Sequence, residues 1–465
     1  MRPNVFPLAL AAVLAAGCAH WPVNAPLAHA EPAAGYRLAN VRRAGQSEDL
    51  LVFLAFSGGG TRAAAFSYGV LEELARTEVA VGGAKRRLHD EDDVISAVSG
   101  GTFPATYYAL RGDRIFEEFE KKFLKRDVEH DLTLRIVGPG NWFRLPSGTF
   151  SRSDVAAELY DETIFDRATY ADLLRGGGPF VIVNGADVTT GARFPFTQDQ
   201  FDVICSDLSA IRVARAVATS SALPPLLTPI TLQNRAGTCG WTPPAWTQEA
   251  GKGEGLGRAG LRARELLSFD DAKARPYLHL FDGGLAENLG LRSVIEALDA
   301  LASPSPELER LRAAKKLVVI VVNAYRDLER DWDRSEEPPG KGDLQDQMWS
   351  IPVDRYSFEA VEAARDQVNR WAAAAPGRSA YFVEVSFERL ADPAERSYLR
   401  KVPTSFTLKP EQVDRLRQAA GRILRESPAF ARLVGDLGGK ETRSSSSSRG
   451  RSWAPSSSAS SWAGW

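Results

Sequence analysis

The chain has 465 residues, enough for one large domain or two smaller ones. Hydrophobic residues make up 44% and charged residues 25%, an ordinary globular composition, and a formal net charge of -2 gives nucleic acid no footing as a partner. No apolar run approaches the roughly 18–20 residues that cross a bilayer as a helix, so the body of the protein is expected to be soluble.

At the N-terminus Arg2 supplies positive charge, and Val5 to Leu14 form a short apolar stretch broken by Pro7. Leu14-Ala15-Ala16-Gly17-Cys18 follows, and together these features describe an export signal. Small residues immediately before a Cys resemble the lipobox of bacterial lipoproteins, although that family usually has Leu where Ala15 stands. The resemblance implies a signal peptide over residues 1–18 and diacylglycerol on the Cys18 thiol. It also implies an anchored protein of the cell envelope, at the outer membrane. Plain secretion is the alternative, with cleavage after Ala28-His29-Ala30, an A-x-A site about a dozen residues beyond the apolar run. Residues 19–46, rich in Ala and Pro, read as a tether.

From Leu50 the texture changes. Leu50 to Phe56 is continuously apolar, the pattern of a strand buried on both faces, and a Gly-rich turn leads into a helix over Ala63–Arg76. A second such unit runs from Val94–Val98 through a Ser-Gly-Gly turn to a helix from Phe103. Further buried strands are expected at Phe180–Val183, Tyr277–Phe281 and Leu317–Val322. Helices are expected at Leu208–Ser221, Leu291–Leu301, Phe358–Ala374 and Pro410–Glu426. Apolar strands alternating with helices indicate an α/β domain with a mainly parallel sheet. Residues 112–150, 233–275 and 326–342 read as excursions from that scaffold. The main domain is placed at 47–325, with an α/β extension packed on it at 326–439. A Ser-rich tail at 440–465 is expected to be disordered. Beyond Cys18 the thiols are Cys205 and Cys239, whose pairing the sequence leaves open. Neither lies in a Cys/His cluster, so no structural zinc is expected.

Three strand-end turns carry chemistry. In Ser96-Ala97-Val98-Ser99-Gly100-Gly101, a sharp strand-to-helix turn would project the Ser99 hydroxyl, and its small neighbours permit close backbone approach. In Ser57-Gly58-Gly59-Gly60-Thr61-Arg62, consecutive glycines bare their amides toward an anion. The Lys of a phosphate-binding loop and the third Gly of a dinucleotide fingerprint are missing there. In Phe281-Asp282-Gly283-Gly284, an acid leaves a strand end. Each alone is also a plain turn. Together, at one edge of a parallel sheet, they supply a nucleophile, a base and oxyanion donors. All five His precede Asp282, so a Ser–Asp–His order is impossible with this acid. His279, in an apolar strand, reads as a packed core residue. A Ser99–Asp282 dyad is the simpler device. A carboxylate near pKa 4 is a poor base for a hydroxyl, so Asp282 is expected in a water-poor pocket.

The three motifs, in this order and spacing, resemble those of patatin-like phospholipases. Asn184–Gly191 and Ala214–Pro224 are similar to two further blocks of that family, and the likeness covers about residues 50–300. It implies a three-layer α/β/α sandwich that cleaves acyl esters of glycerolipids without a cofactor. Carried over by position, Ser99 is the nucleophile and Asp282 the base. Gly58, Gly59, Gly60 and Arg62 would form the oxyanion hole, with Arg62 also holding the loop. Ala97, Gly100, Gly101, Gly283 and Gly284 complete the motifs, and Ala63 and Ala97 stand where the family usually has Gly. The expected partners are a phospholipid or other acyl-lipid substrate and a membrane surface. Acyl transfer on the same dyad, and a non-catalytic binding protein, are the alternatives.

Overall fold

A computed structural model of the protein describes residues 19–439 except 42, 44, 251–256, 301–308, 327–329 and 331. Residues 1–18 and 440–465, on which the expected signal peptide, the Cys18 anchor and the Ser-rich tail fall, lie outside the described residues. The strands are β1 (Leu50–Phe56), β2 (Glu78–Val81), β3 (Ala84–Arg87), β4 (Asp92–Val98) and β5 (Phe180–Asp187). They continue with β6 (Arg193–Pro195), β7 (Ile230–Gln233), β8 (Tyr277–Asp282), β9 (Lys316–Asn323) and β10 (Ser379–Ser386).

Side chains along a strand alternate between faces, yet every residue of β1 and β4 is buried. Both faces of the sheet centre are therefore covered, which is why these segments read as unbroken apolar runs. The sheet order is β10-β9-β1-β4-β5-β8-β7, with β6 on β5 and the β2–β3 hairpin apart. From β10 to β5 all neighbours are parallel. The architecture is thus α/β, with a central, mainly parallel sheet flanked by helices. Residues beyond 326 add β10 to the edge of β9 and supply the helix Pro410–Glu426. That helix packs on Gly60–Arg76 where a Cβ on Gly69 would lie 2.4 Å from the Arg417 carbonyl oxygen.

Four expectations require correction. First, β8 runs antiparallel to β5, and β7 antiparallel to β8. With one face open, β8 alternates: Leu278 and Leu280 are buried while Tyr277 and His279 face water. His279 is thus no core residue; its Nδ1 lies 3.1 Å from Thr231 Oγ1. Second, the 208–221 segment is a short turn followed by the helix Val213–Ser220. Third, the helix placed at Phe358 starts earlier, spanning Lys341–Ala373 with Pro352 inside it.

Fourth, residues 19–41 are not a tether. Trp21, Asn24, Tyr36 and Arg37 are buried. The Tyr36 hydroxyl accepts from the Val181 amide of β5 at 2.8 Å, and Arg37 pairs with Asp199 and Asp202. Asn24 Oδ1 accepts from the Gln233 amide at 2.8 Å. Cys205 and Cys239 form a disulfide, and the amides of Leu27 and Ala30 donate to the carbonyls of those two residues at 2.9 and 3.0 Å.

Candidate active site

The register of β4, β5 and β8 brings Ser99 and Asp282 together. Val98 pairs with Asn184, and β5 continues past that point to Asp187. β8 returns along this overhang and ends with Asp282 opposite Gly185. The acid therefore reaches Ser99 from a strand of opposite direction, not from a third parallel strand.

Ser99 opens the turn after β4 with φ of +48°, in the left-handed region that costs a non-glycine residue of order 1–3 kcal/mol. The turn is held at its strained point. Ser220 Oγ accepts from the Ser99 amide at 2.8 Å and donates to the Asn184 carbonyl at 2.5 Å. Below it, Asn184 Nδ2 donates to the Ala97 carbonyl at 3.0 Å, and Arg193 donates to Asn184 Oδ1 at 2.9 Å. Ala97 itself is wholly enclosed in β4. Gly100 is required by contact: a Cβ there would lie 2.0 Å from the Gly60 carbonyl oxygen.

The Ser99 hydroxyl donates to Asp282 Oδ2 at 2.8 Å, and the Gly284 amide donates to Oδ1 at 2.8 Å. Asp282 is only 5% exposed. Burial pushes its carboxyl up to about 6, against the lowering effect of the Gly284 and Ser99 hydrogen bonds. Gly283 packs its Cα against the Asn184 carbonyl, where a Cβ would come within 2.2 Å.

The triglycine turn lies against this pair, since a Cβ on Gly58 would sit 3.2 Å from Ser99 Cβ. The following helix starts at Gly60, so the loop forms its N-terminus, where amides are unpaired and the dipole favours negative charge. Its amides are not equivalent. The Gly58 amide donates to the Asn288 carbonyl and the Thr61 amide to Ser405, both at 2.9 Å. The Gly59 and Gly60 amides have no partner among the described residues. Gly58 thus shapes the loop without offering a donor. Arg62 also departs from its expected place in an oxyanion hole. Its buried guanidinium donates to the carbonyls of Ala324 at 2.9 Å and Val402 at 2.7 Å. Burial, with Arg326 nearby, lowers it to about 9. It ties the loop to the end of β9 and to the C-terminal region.

The family model for patatin-like phospholipases matches residues 54–295, just over half of the chain. This chain belongs to the patatin-like phospholipase family. Ser99 and Asp282 of this patatin-like protein both fall inside the matched region, as do the triglycine turn and Arg62. No curated protein matches the sequence. Among solved structures, it is similar to human GIVD cytosolic phospholipase A2, with a TM-score of 0.45 and 13% identity over 84% of this chain and 62% of that one. The patatin-like chain thus spans less than two thirds of the human enzyme. VipD from Legionella pneumophila gives a TM-score of 0.34 and 13% identity over 90% of this chain and 71% of that one.

Ser220 and Asn288 escaped sequence reasoning. Ser220 lies in Thr219-Ser220-Ser221, where nothing local distinguishes one hydroxyl from its neighbours. Asn288 acts through its carbonyl, which any residue type would supply.

Proposed function

We propose that the protein hydrolyses the acyl esters of phospholipids, lysophospholipids or neutral lipids through a Ser99–Asp282 dyad. The observation that carries this reading is the 2.8 Å hydrogen bond from the Ser99 hydroxyl to a buried carboxylate, beside the Gly59 and Gly60 amides, which have no partner among the described residues. Asp282 takes the hydroxyl proton as Ser99 Oγ bonds to the ester carbonyl carbon. The oxyanion is met by the Gly59 and Gly60 amides at the helix N-terminus. As the tetrahedral centre collapses, the C–O bond to the alcohol breaks and Asp282 returns the proton to that alcohol, leaving an acyl-Ser99. Water then repeats the cycle, giving up a proton to Asp282 while it attacks the acyl carbon. The carboxylic acid departs and Ser99 Oγ recovers its proton. A base lifted to about 6 stays ionised at neutral pH yet binds a proton far better than an ordinary carboxylate.

The same proposal keeps export and an anchor at Cys18. The Cys205–Cys239 disulfide supports it, because such bonds persist in oxidising compartments. The test of the chemistry is hydrolysis of p-nitrophenyl acyl esters. Ser99→Ala is expected to lower kcat/KM by at least about a thousandfold while the protein still unfolds in one cooperative transition. Equal rates for the two proteins would remove the dyad.

A further inference from the structure

The helix Lys341–Ala373 lies beyond the matched family region and has two apolar sides. One faces inward, where Ala360, Val361, Ala364 and Val368 are buried. The other faces water: Leu344, Met348, Ile351 and Phe358 are 48%, 77%, 52% and 65% exposed. At about 100° per residue, their spacing keeps them within roughly 40° of one line along the helix. Arg355 falls on the same line and Lys341 borders it. Glu359 borders it just past the other end, so the one charge inside the row from Leu344 to Phe358 is the Arg355 cation. Single exposed apolar residues are ordinary, but a row of them marks an interaction surface.

The same stretch of helix is tied, through residues off the stripe, to two segments that hold the loops of the candidate site. Asp354 hydrogen-bonds Tyr325, which follows the Ala324 carbonyl that receives Arg62. Arg292 donates to the Tyr356 hydroxyl at 3.0 Å, while its own amide is held by Glu287. Glu287 immediately precedes Asn288, whose carbonyl fixes Gly58. The helix that carries the stripe is thus linked, through Tyr325 and Arg292, to the residues that fix Arg62 and Gly58.

We propose that the stripe from Leu344 to Phe358 docks this protein on an anionic phospholipid bilayer. The four apolar side chains enter the headgroup–acyl boundary, and Arg355 and Lys341 meet lipid phosphates, their stems lying along the apolar layer. The bilayer as ligand rests on the lipid-hydrolase reading. The arrangement would present the catalytic edge to the substrate's own surface, so that a lipid leaves the bilayer without crossing water.

The test uses the full chain carrying Cys18→Ser, which removes any anchor, and Ser99→Ala, which keeps the vesicles intact. This parent is compared with the same protein further changed by Met348→Asp, Ile351→Asp and Phe358→Asp, and separately by Arg355→Glu. Co-sedimentation is measured with phosphatidylcholine vesicles containing about 30% phosphatidylglycerol. The triple change is expected to lower the partition coefficient at least about tenfold and Arg355→Glu several-fold, with melting temperatures preserved. A parent that ignores the vesicles, or variants that bind within about twofold of it, would overturn the proposal. So would a parent found dimeric by light scattering that the triple change makes monomeric, which assigns the stripe to a second copy. Hydrolysis is read separately on protein with Ser99 intact. Stripe-dependent binding without hydrolysis sinks the enzymatic reading alone, and hydrolysis without such binding sinks the surface alone.

Discussion

Protonation of Asp282 sets the acid limit of the proposed reaction. Burial lifts its carboxyl from 3.8 to about 6. At about 1.4 kcal/mol per pH unit, that is roughly 3 kcal/mol of preference for the neutral acid, even after the Gly284 and Ser99 hydrogen bonds have favoured the anion. Only the anion can take the Ser99 proton, so kcat/KM should fall about tenfold per unit below pH 6, leaving roughly a tenth of its plateau at pH 5. An ordinary carboxylate near pKa 3.9 would retain about nine-tenths there. The assay is p-nitrophenyl ester hydrolysis at constant ionic strength, read at the isosbestic wavelength of the product. Stability follows the same group with a defined sign. Its folded pKa lies above the unfolded one, so its contribution is fully present below about pH 4 and is lost as pH rises through about 6. Asp282→Asn, which cannot ionise, should therefore be more stable than wild type at pH 8 by up to about 2–3 kcal/mol, with no such gain at pH 4. A kcat/KM that stays level down to pH 4.5, or an Asn variant that retains activity, would falsify the assignment of Asp282 as a desolvated base.

Ser99→Gly and Ser99→Ala both remove the hydroxyl, so their difference isolates the φ of +48°. The Gly variant should be the more stable by about 1 kcal/mol in urea melts, and equal stability would mean that the turn is unstrained. Arg62→Met should cost about 2–4 kcal/mol, because two buried carbonyls lose a charged donor. A variant that keeps its stability but loses kcat would instead put the guanidinium at the oxyanion. Cys239→Ser should lower stability by about 3–4 kcal/mol, since the disulfide closes a loop with a sequence separation of 34. An unchanged denaturation midpoint would show that Cys205 and Cys239 are not bonded in solution.

What could be read from the chain is what short stretches determine. β1 and β9 announce themselves because burial on both faces leaves no polar positions between residues 317 and 322 or 50 and 56. Ser99 and Asp282 were visible because their turns need small residues close by. The direction of β8 was not, because it depends on β5 outrunning β4 by three residues, from Gly185 to Asp187. The division of labour among the glycine amides was equally hidden, since the partner of Gly58 is a carbonyl distant in the chain. Composition misled at both ends of the fold. Ala and Pro around Trp21 and Tyr36 suggested slack chain, yet the two aromatic residues are buried. Pro352, which removes one helical hydrogen bond, lies within a helix whose other turns persist.

The docking of residues 19–41 bears on how the polypeptide can be matured. A peptidase cutting after Ala30 would discard Trp21 and Asn24, uncovering the Gln233 end of β7, and would remove the two amides that cap the half-cystine carbonyls. Processing at Cys18 would retain every one of these contacts. It would also leave almost no free chain between a lipidated terminus and the folded body, so that the globule would ride close against the bilayer in a restricted set of orientations.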